Sequence, residues 1–233
     1  MNGYINSFQS MGTVDGPGVR CVIFMQGCPL RCVYCHNPET WVTGTGVQVT
    51  PKEMLNRIKR YKSYISKGGV TVSGGEALLQ ARFVKEFFAM CREERIHTAL
   101  DTSGCIINDD VHDLLDVTDL CLLDIKMTTP EEYKKYTGVS LNTVLKFLDI
   151  LQEKSIDTWI RQVIVPDIND NFDNIDRLND ILRRYNIVKK VELLPFRKLC
   201  LEKYKEMGKP FPLADTPEAT PKAVAQLQKA VIL

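Results

Sequence analysis

The sequence lacks several features that would assign it to a membrane or a nucleic acid. No uninterrupted apolar stretch approaches the ~20 residues that cross a bilayer, and Met1–Ser10 lacks the basic flank and apolar run of a secretion signal. Lys and Arg number 30 against 29 for Asp and Glu, so no basic excess predicts nucleic acid binding. We therefore expect a cytoplasmic protein. Without repeats or a long linker, residues 1–233 should form one domain.

Three of the eight cysteines are clustered in one short segment, and the others are scattered. Cys28, Cys32 and Cys35 lie at positions i, i+4 and i+7, close enough to share one metal centre. The other five stand alone: Cys21, Cys91, Cys105, Cys121 and Cys200. A structural zinc site normally needs four ligands, typically as two pairs, and a second pair is absent. Three clustered thiols in a reducing compartment instead favour a 4Fe-4S cubane with one iron left open.

Short segments rich in Val, Ile and Leu alternate with segments of helical periodicity. The predicted strands are Arg20–Met25, Gly69–Ser73, His97–Asp101, Leu120–Asp124, Thr158–Val165 and Lys189–Leu194. The predicted helices are Pro51–Ser66, Arg82–Glu94, Asn142–Lys154 and a fourth through Ile175, Leu178 and Leu182. This alternation predicts parallel βαβ units, in either an open doubly wound sheet or an incomplete barrel.

Chemically distinctive residues follow the first four predicted strands. In both architectures ligands bind at the carboxyl ends of parallel strands, so residues distant in sequence should face one cavity. These residues are the cysteine segment, Gly74-Gly75-Glu76, Asp101-Thr102 and Asp124-Ile125-Lys126. Each also has a structural explanation, because glycine pairs form turns and strand-end acids cap helices.

The spacing CxxxCxxC, with Tyr34 before the last cysteine, resembles the signature of the radical S-adenosylmethionine (SAM) superfamily. Further segments narrow the resemblance to the pyruvate formate-lyase activating enzymes, a family of glycyl radical enzyme activases. They span nearly the whole chain: Gly12–Arg20, Cys35–Trp41, Ser73–Ala77, Leu100–Gly104, Leu123–Lys126, Trp159–Arg161, Val165-Pro166 and Glu192–Pro195. The resemblance implies an α/β fold, a partial (β/α)6 TIM-like barrel of parallel strands.

The resemblance also implies a chemistry. One 4Fe-4S cluster on Cys28, Cys32 and Cys35 would bind SAM at its open iron and cleave it reductively. The resulting radical would take a hydrogen atom from a glycine of a partner glycyl radical enzyme, pyruvate formate-lyase above all. A flavodoxin or ferredoxin would supply the electron, and the activase would be a monomer. The expected setting is anaerobic, since an open-iron cluster is easily oxidised.

Site residues are carried over from the matching motifs. The adenine side of SAM is assigned to Tyr34, Cys35 and His36. The methionine amino end is assigned to Gly74, Gly75 and Glu76, and the ribose and carboxylate region to Asp124, Ile125 and Lys126. A monovalent cation beside the SAM carboxylate is assigned to Asp101, Thr102 and Asp124. Asp15, on a loop rich in glycine and proline, is assigned to the contact with the partner peptide.

The chain departs from the family pattern at one motif, and the sequence leaves two other functions open. Where the family often has Pro-Tyr-His, this chain has Pro195-Phe196-Arg197, so Arg197 either replaces a SAM contact or points elsewhere. A small-molecule radical SAM enzyme, such as a deazapurine synthase, is one alternative function, and a non-catalytic iron-sulfur or zinc module is another. The absence of cysteine between Asn37 and Val70 favours the pyruvate formate-lyase type over activases with a ferredoxin-like insertion.

Overall fold

The computed structural model of the protein describes residues 1–232. Its strands are β1 (Gly3–Gly12), β2 (Arg20–Met25), β3 (Val47–Val49), β4 (Gly69–Gly74), β5 (Thr98–Thr102), β6 (Leu120–Asp124), β7 (Thr158–Ile164) and β8 (Val188–Pro195). Its α-helices are α1 (Pro51–Lys59), α2 (Ala81–Glu93), α3 (Asp109–Leu115), α4 (Pro130–Thr137), α5 (Leu141–Glu153), α6 (Phe172–Leu182), α7 (Leu201–Glu206) and α8 (Pro221–Gln228). No helix in this range has the length and apolar composition needed to span a membrane.

The strands form one sheet in the order β3-β1-β2-β4-β5-β6-β7-β8. From β2 to β8 each neighbouring pair is parallel, whereas β1 pairs antiparallel with β2 and β3. Each parallel pair is joined by a crossover that contains helix, as parallel pairing requires. The predicted parallel α/β architecture is confirmed, and its six parallel strands are consistent with a partial TIM-like barrel.

Side chains on the parallel strands alternate between two faces, and this alternation positions the site. The outer face packs under the helices through residues that include Val72, Leu100, Leu123 and Ile160. The inner face carries a second, smaller apolar cluster: Ala99, Leu120, Leu122 and the half-buried Trp159. Two residues further along β5, β6 and β7, the same inner face presents Asp101, Asp124 and Arg161 at the carboxyl ends.

The predicted helix Pro51–Ser66 is wrong in its length. A capping box between Thr50 and Glu53 starts α1 as expected, but the helix ends at Lys59. Short turns follow, with hydrogen bonds from the Tyr61 N–H to the Ile58 carbonyl and from the Tyr64 N–H to the Tyr61 carbonyl. The turns keep Ile65 in the core, as helical spacing would, so the apolar pattern alone does not reveal where the helix ends.

The sequence analysis found all six parallel strands but missed β1 and β3, which lie at the antiparallel edge. The pairing of β1 with β2 shifts register between Ile5 and Ser7 and again between Gln9 and Gly12. These irregularities interrupt the period of two by which a half-buried strand is recognised. Four short helices were also not predicted: α3, α4, α7 and α8.

Packing of α2 gives a first test of the fold. Phe87 is fully buried on α2, whereas Phe172 at the start of α6 is 57% exposed. We expect Phe87→Ala to lower the free energy of unfolding by about 3–5 kcal/mol, because truncation leaves a cavity. Phe172→Ala should change it by less than about 0.5 kcal/mol. Denaturant unfolding followed by circular dichroism measures both values, and equal losses would contradict this packing.

Candidate functional site

A cavity of about 250 Å³ lies at the carboxyl ends of the parallel strands. Most residues singled out from the sequence line it: Asp15, Cys28, Cys32, Tyr34, Cys35, His36, Gly74, Gly75, Asp101, Thr102, Asp124 and Lys126. Two of them, Glu76 and Ile125, are fully buried beside the cavity without lining it. The structure also adds lining residues that the sequence analysis did not assign, among them Ser73, Ser103 and Arg161.

The cysteine loop, residues 28–35, is held both by neighbouring backbone and by the Arg31 side chain, whose Nη1 donates to the Cys28 carbonyl at 2.8 Å and to the Leu30 carbonyl at 2.7 Å. The Arg31 N–H donates to the Thr137 carbonyl at 2.9 Å, and the Val33 N–H donates to the Tyr136 carbonyl at 3.0 Å. Both acceptors lie at the end of α4. The loop is therefore fixed against a helix that follows β6, far away in sequence.

All three loop thiols are free and line the same cavity. Burial raises the pKa of Cys28 to about 12 and that of Cys32 to about 11, and it also raises the pKa of Cys35. Within residues 1–232, no group of three or more His, Cys, Asp or Glu side chains stands in a ready-made metal-binding arrangement. The three thiols therefore line one cavity.

The Gly74-Gly75 turn supports the start of the cysteine loop. The Gly75 N–H donates to the Met25 carbonyl at 3.0 Å, and the Glu76 N–H donates to the Gly27 carbonyl at 2.8 Å. A Cβ on Gly75 would lie 2.2 Å from the Gly27 carbonyl oxygen, so glycine is required for this contact. The turn therefore has a packing role in addition to the cofactor role that the motif predicts.

The Glu76 carboxylate is buried in a hydrogen-bond network beside the cavity. It accepts hydrogen bonds from Thr102 Oγ1 at 2.5 Å, from the Ser103 N–H at 3.0 Å and from the Ser103 hydroxyl. The Leu78 N–H donates to it at 3.1 Å. This carboxylate connects the end of β4 to the segment after β5. Because Glu76 does not line the cavity, its predicted contact with the cofactor has no support from the cavity lining.

Arg161 is the functional candidate that sequence reasoning missed, since it was quoted only as part of a motif. Its Nη1 lies 3.1 Å from Asp101 Oδ2, and the Ser73 hydroxyl donates to the same oxygen at 2.7 Å. Burial raises the pKa of Asp101 to about 6, although the Arg161 guanidinium acts to lower it. Arg161 lies two residues after Trp159, on the inner face of β7. This spacing was the sequence signal that could have identified it.

Lys126 and Asp124 form a second ion pair at the end of β6. Lys126 Nζ lies 2.9 Å from Asp124 Oδ2. Burial alone would lower the pKa of Lys126, but the Asp124 carboxylate and nearby thiol and phenol groups raise it well above its usual range. Ile125 between them is fully buried, and its N–H donates to the Arg161 carbonyl at 3.0 Å. The predicted cation ligands Asp101 and Asp124 are therefore each already paired with a cationic side chain.

The adenine-side candidates differ in how they are held. His36 Nε2 lies 2.7 Å from the Arg197 carbonyl oxygen, and the His36 ring stacks on Phe196 with centroids 6.4 Å apart. The Tyr34 hydroxyl is buried and has no hydrogen-bond partner in the part of the chain that the structure describes. An unpaired buried hydroxyl beside a cavity is a polar group that a ligand can satisfy.

The Arg197 side chain does not take the place of a SAM contact in this structure. Its Nη1 lies 3.2 Å from Glu218 Oε2, and Arg197 does not line the cavity. Only its backbone carbonyl reaches the site, through His36. Of the two possibilities left open by the sequence, the structure shows the one in which the guanidinium points elsewhere.

Comparison with known proteins defines the class. The model of the radical SAM superfamily matches residues 22–178, so the chain is a radical SAM protein. The pyruvate formate-lyase 1-activating enzyme of Escherichia coli strain K12 is 44% identical over 215 residues, 91% of this chain and 87% of that protein. The pyruvate formate-lyase-activating enzyme of Listeria monocytogenes is 42% identical over 219 residues, 91% of this chain and 88% of that protein. Within the superfamily, the chain therefore belongs to the pyruvate formate-lyase activating enzymes, and membership implies a 4Fe-4S cluster and SAM as cofactors.

Solved structures share the fold. A domain of pyruvate-formate lyase-activating enzyme from Bacteroides vulgatus has a TM-score of 0.58 at 21% identity, over 70% of this chain and 92% of that chain. A radical SAM methyltransferase from Sphaerobacter thermophilus has a TM-score of 0.64 at 13% identity, over 91% of this chain and 63% of that chain. At these identities the likeness concerns the fold alone.

The raised pKa of Asp101 predicts a pH effect on stability. Because burial moves this pKa from 3.8 to about 6, the folded protein keeps a proton between these pH values that the unfolded chain releases. The free energy of unfolding contributed by Asp101 therefore falls as pH rises through that window. Denaturant unfolding of wild type and Asp101→Asn at several pH values measures the difference. A difference that is the same at both ends of the window would contradict the raised pKa.

Proposed function

We propose that this protein activates a glycyl radical enzyme by taking a hydrogen atom from a glycine Cα of a partner of the pyruvate formate-lyase type. One observation carries the proposal: in a chain of this family, three thiols of one loop share a cavity with charged groups from three strand ends. Cys28, Cys32 and Cys35 would hold a cluster that, once reduced, would supply the electron for cleavage of SAM to methionine and a 5′-deoxyadenosyl radical, which would take the glycine hydrogen.

Cys28, Cys32 and Cys35 are the residues that would hold the cluster. Their free thiols face one cavity, and three sulfur ligands leave one iron of a cubane for SAM. Burial keeps these thiols protonated in the protein alone, so the positive charge of iron is needed to make them thiolates. The backbone bonds to α4 keep the loop in place while its side chains take up the metal.

Residues around the cavity supply complementary groups for SAM. Lys126 places a largely buried ammonium where the carboxylate and ribose region is assigned, and its pairing with Asp124 keeps it charged. On the adenine side, His36 forms an aromatic wall fixed by Phe196, and Tyr34 offers a hydroxyl that lacks a described protein partner. Gly74 and Gly75 line the cavity with backbone, which suits close approach of the methionine end.

Several finer parts of the proposal rest on the family. A flavodoxin or ferredoxin supplies the electron, and the activase works as a cytoplasmic monomer whose single domain spans residues 1–233. Asp101, Thr102 and Asp124 hold a monovalent cation beside the SAM carboxylate. Asp15 contacts the partner peptide, and its place in the cavity wall is compatible with this role. The cysteine-free segment between Asn37 and Val70 supports a partner of the pyruvate formate-lyase type.

The activity is tested by mixing the anaerobically reconstituted protein with SAM, a reductant and pyruvate formate-lyase. We expect a glycyl radical doublet in the electron paramagnetic resonance spectrum, because only abstraction from a glycine Cα leaves that species. SAM cleavage without any protein radical, but with turnover of a small molecule, would instead indicate the deazapurine synthase type. A bound zinc ion without SAM cleavage would indicate a non-catalytic module.

The ligand assignment is tested with a matched pair of cysteine variants. We expect Cys32→Ala to lose the cluster absorbance and the glycyl radical, because two thiols do not hold a cubane. Cys105→Ala should keep the wild-type iron content, since this half-buried thiol lies outside the loop and does not line the cavity. Iron content and absorption spectra measure both, and unaltered iron in Cys32→Ala would refute the assignment.

The positions of His36 and Arg197 predict that only the first of these side chains contributes to SAM binding. Arg197→Ala should change the Kd of SAM by less than about twofold, because its guanidinium pairs with Glu218 away from the cavity. His36→Ala should weaken SAM binding by about tenfold or more, since it removes a ring that lines the cavity. Calorimetric titration of the anaerobic cluster-loaded protein measures both Kd values. A large effect of Arg197→Ala would show that its side chain turns into the site.

A further inference from the structure

Asp15 reaches the cavity from an unexpected direction. It lies on the connection between β1 and β2, which enters the barrel at the amino end of β2, opposite to the cysteine loop. The backbone of this connection, residues 13–19, nevertheless runs into the interior of the barrel, where it contacts Thr71 in the middle of β4. Asp15 is 9% exposed and lines the cavity together with Asp101 and Arg161.

Arg20, which immediately follows this connection, is the largest fully buried side chain among residues 1–232. Its Nη1 donates to the Gly68 carbonyl at 2.7 Å and to the Pro17 carbonyl at 3.2 Å. Its Nη2 donates to the Val70 carbonyl at 2.6 Å and lies 3.2 Å from His97 Nδ1. A buried guanidinium with this many acceptors is fixed in one geometry.

Thr71 links the Arg20 side chain to the Asp15 backbone through two hydrogen bonds. Arg20 Nε donates to Thr71 Oγ1 at 2.7 Å, and Thr71 Oγ1 in turn donates to the Asp15 carbonyl oxygen at 2.6 Å. Thr71 is fully buried on the inner face of β4, two residues before the cavity residue Ser73. The connection is also packed tightly, because a Cβ on Gly18 would lie 2.6 Å from the Lys67 carbonyl oxygen.

We propose that Arg20 and Thr71 form a buried pin that positions Asp15 in the wall of the cavity for contact with the partner peptide. The consequence for the partner rests on the proposed function, whereas the consequence for residues 13–19 does not. A peptide that binds against Asp15 meets a carboxylate whose backbone is already fixed, so it does not have to order the loop. Arg20 and Thr71 are thus positioning residues that act through Asp15.

Thr71→Val tests the pin, because it removes the hydroxyl while keeping the shape of the side chain. Thr71→Ser keeps the hydroxyl and serves as the rescue. Thr158→Val is the matched control: Thr158 is also a fully buried strand residue, and its hydroxyl donates to the Ile156 carbonyl at 2.9 Å without reaching the loop. Variants of Arg20 itself are avoided, since loss of this buried charge endangers folding.

The first readout is amide hydrogen exchange of the anaerobic cluster-loaded protein. We expect exchange of residues 13–19 to become about tenfold faster in Thr71→Val, in line with the loss of a buried hydrogen bond, and to stay near wild type in Thr71→Ser and Thr158→Val. A general loss of stability would instead speed exchange throughout the sheet. Unchanged exchange of residues 13–19 in Thr71→Val would overturn the pin.

The second readout separates KM from kcat for glycyl radical formation on pyruvate formate-lyase. We expect Thr71→Val to raise the KM of the partner about tenfold with little change in kcat, because Asp15 contributes to binding. Faster exchange with an unchanged KM would overturn the positioning role. If the wild type forms no glycyl radical, the proposed function fails, while the exchange result still decides whether the pin exists.

Discussion

The site depends on one geometric constraint, the period of two along parallel strands that curve around a common interior. It forces the inner-face residues at the ends of β5, β6 and β7 into one small cavity, and these residues are Asp101, Asp124 and Arg161. Bringing carboxylates together away from water costs free energy unless cations accompany them. Arg161 and Lys126 meet this need, each within 3.1 Å of a carboxylate oxygen.

Among the side chains that line the cavity, carboxylates outnumber cations. Asp15, Asp101 and Asp124 line it with Arg161 and Lys126, while the charge of the buried Arg20 also acts on Asp15. Burial holds the pKa of Asp101 near 6 rather than at its ordinary 3.8. A positively charged ligand, such as a sulfonium group or a monovalent cation, would offset the remaining negative charge. The electrostatics of the strand ends therefore fit the same cofactor that the cysteine loop suggests from its sulfur ligands.

The residues that follow the cysteine loop are supported from distant parts of the chain. Lys203 of α7 donates to Asn37 Oδ1 at 2.7 Å and to Glu39 Oε1 at 2.6 Å. The Trp41 ring packs edge-on against Tyr204, with centroids 6.0 Å apart. The carboxyl-terminal segment thus holds the residues that follow Cys35 in place. The sequence analysis predicted no helix in this segment.

The sequence predicted the features that depend on local pattern. The six parallel strands follow from short runs of branched apolar residues, and the gathering of site residues follows from the rule that ligands bind at strand ends. Features that depend on tertiary partners could not be predicted. The burial of the Glu76 carboxylate depends on the Ser103 N–H as a donor. The pairing of Arg161 depends on Asp101, which is 60 residues away in sequence.

The Asp15 loop shows how composition and tertiary contacts bear on different properties of a loop. Its glycines and its proline predict sharp turns, and the resemblance implies that Asp15 contacts the partner peptide. In the structure the Gly18 backbone lies against Lys67, where any side chain would collide, and the loop is bonded to Thr71 inside the barrel. In this structure the glycine at position 18 allows close packing. A composition rich in glycine and proline therefore predicts that a chain turns, but whether the turn moves depends on what is bonded to it.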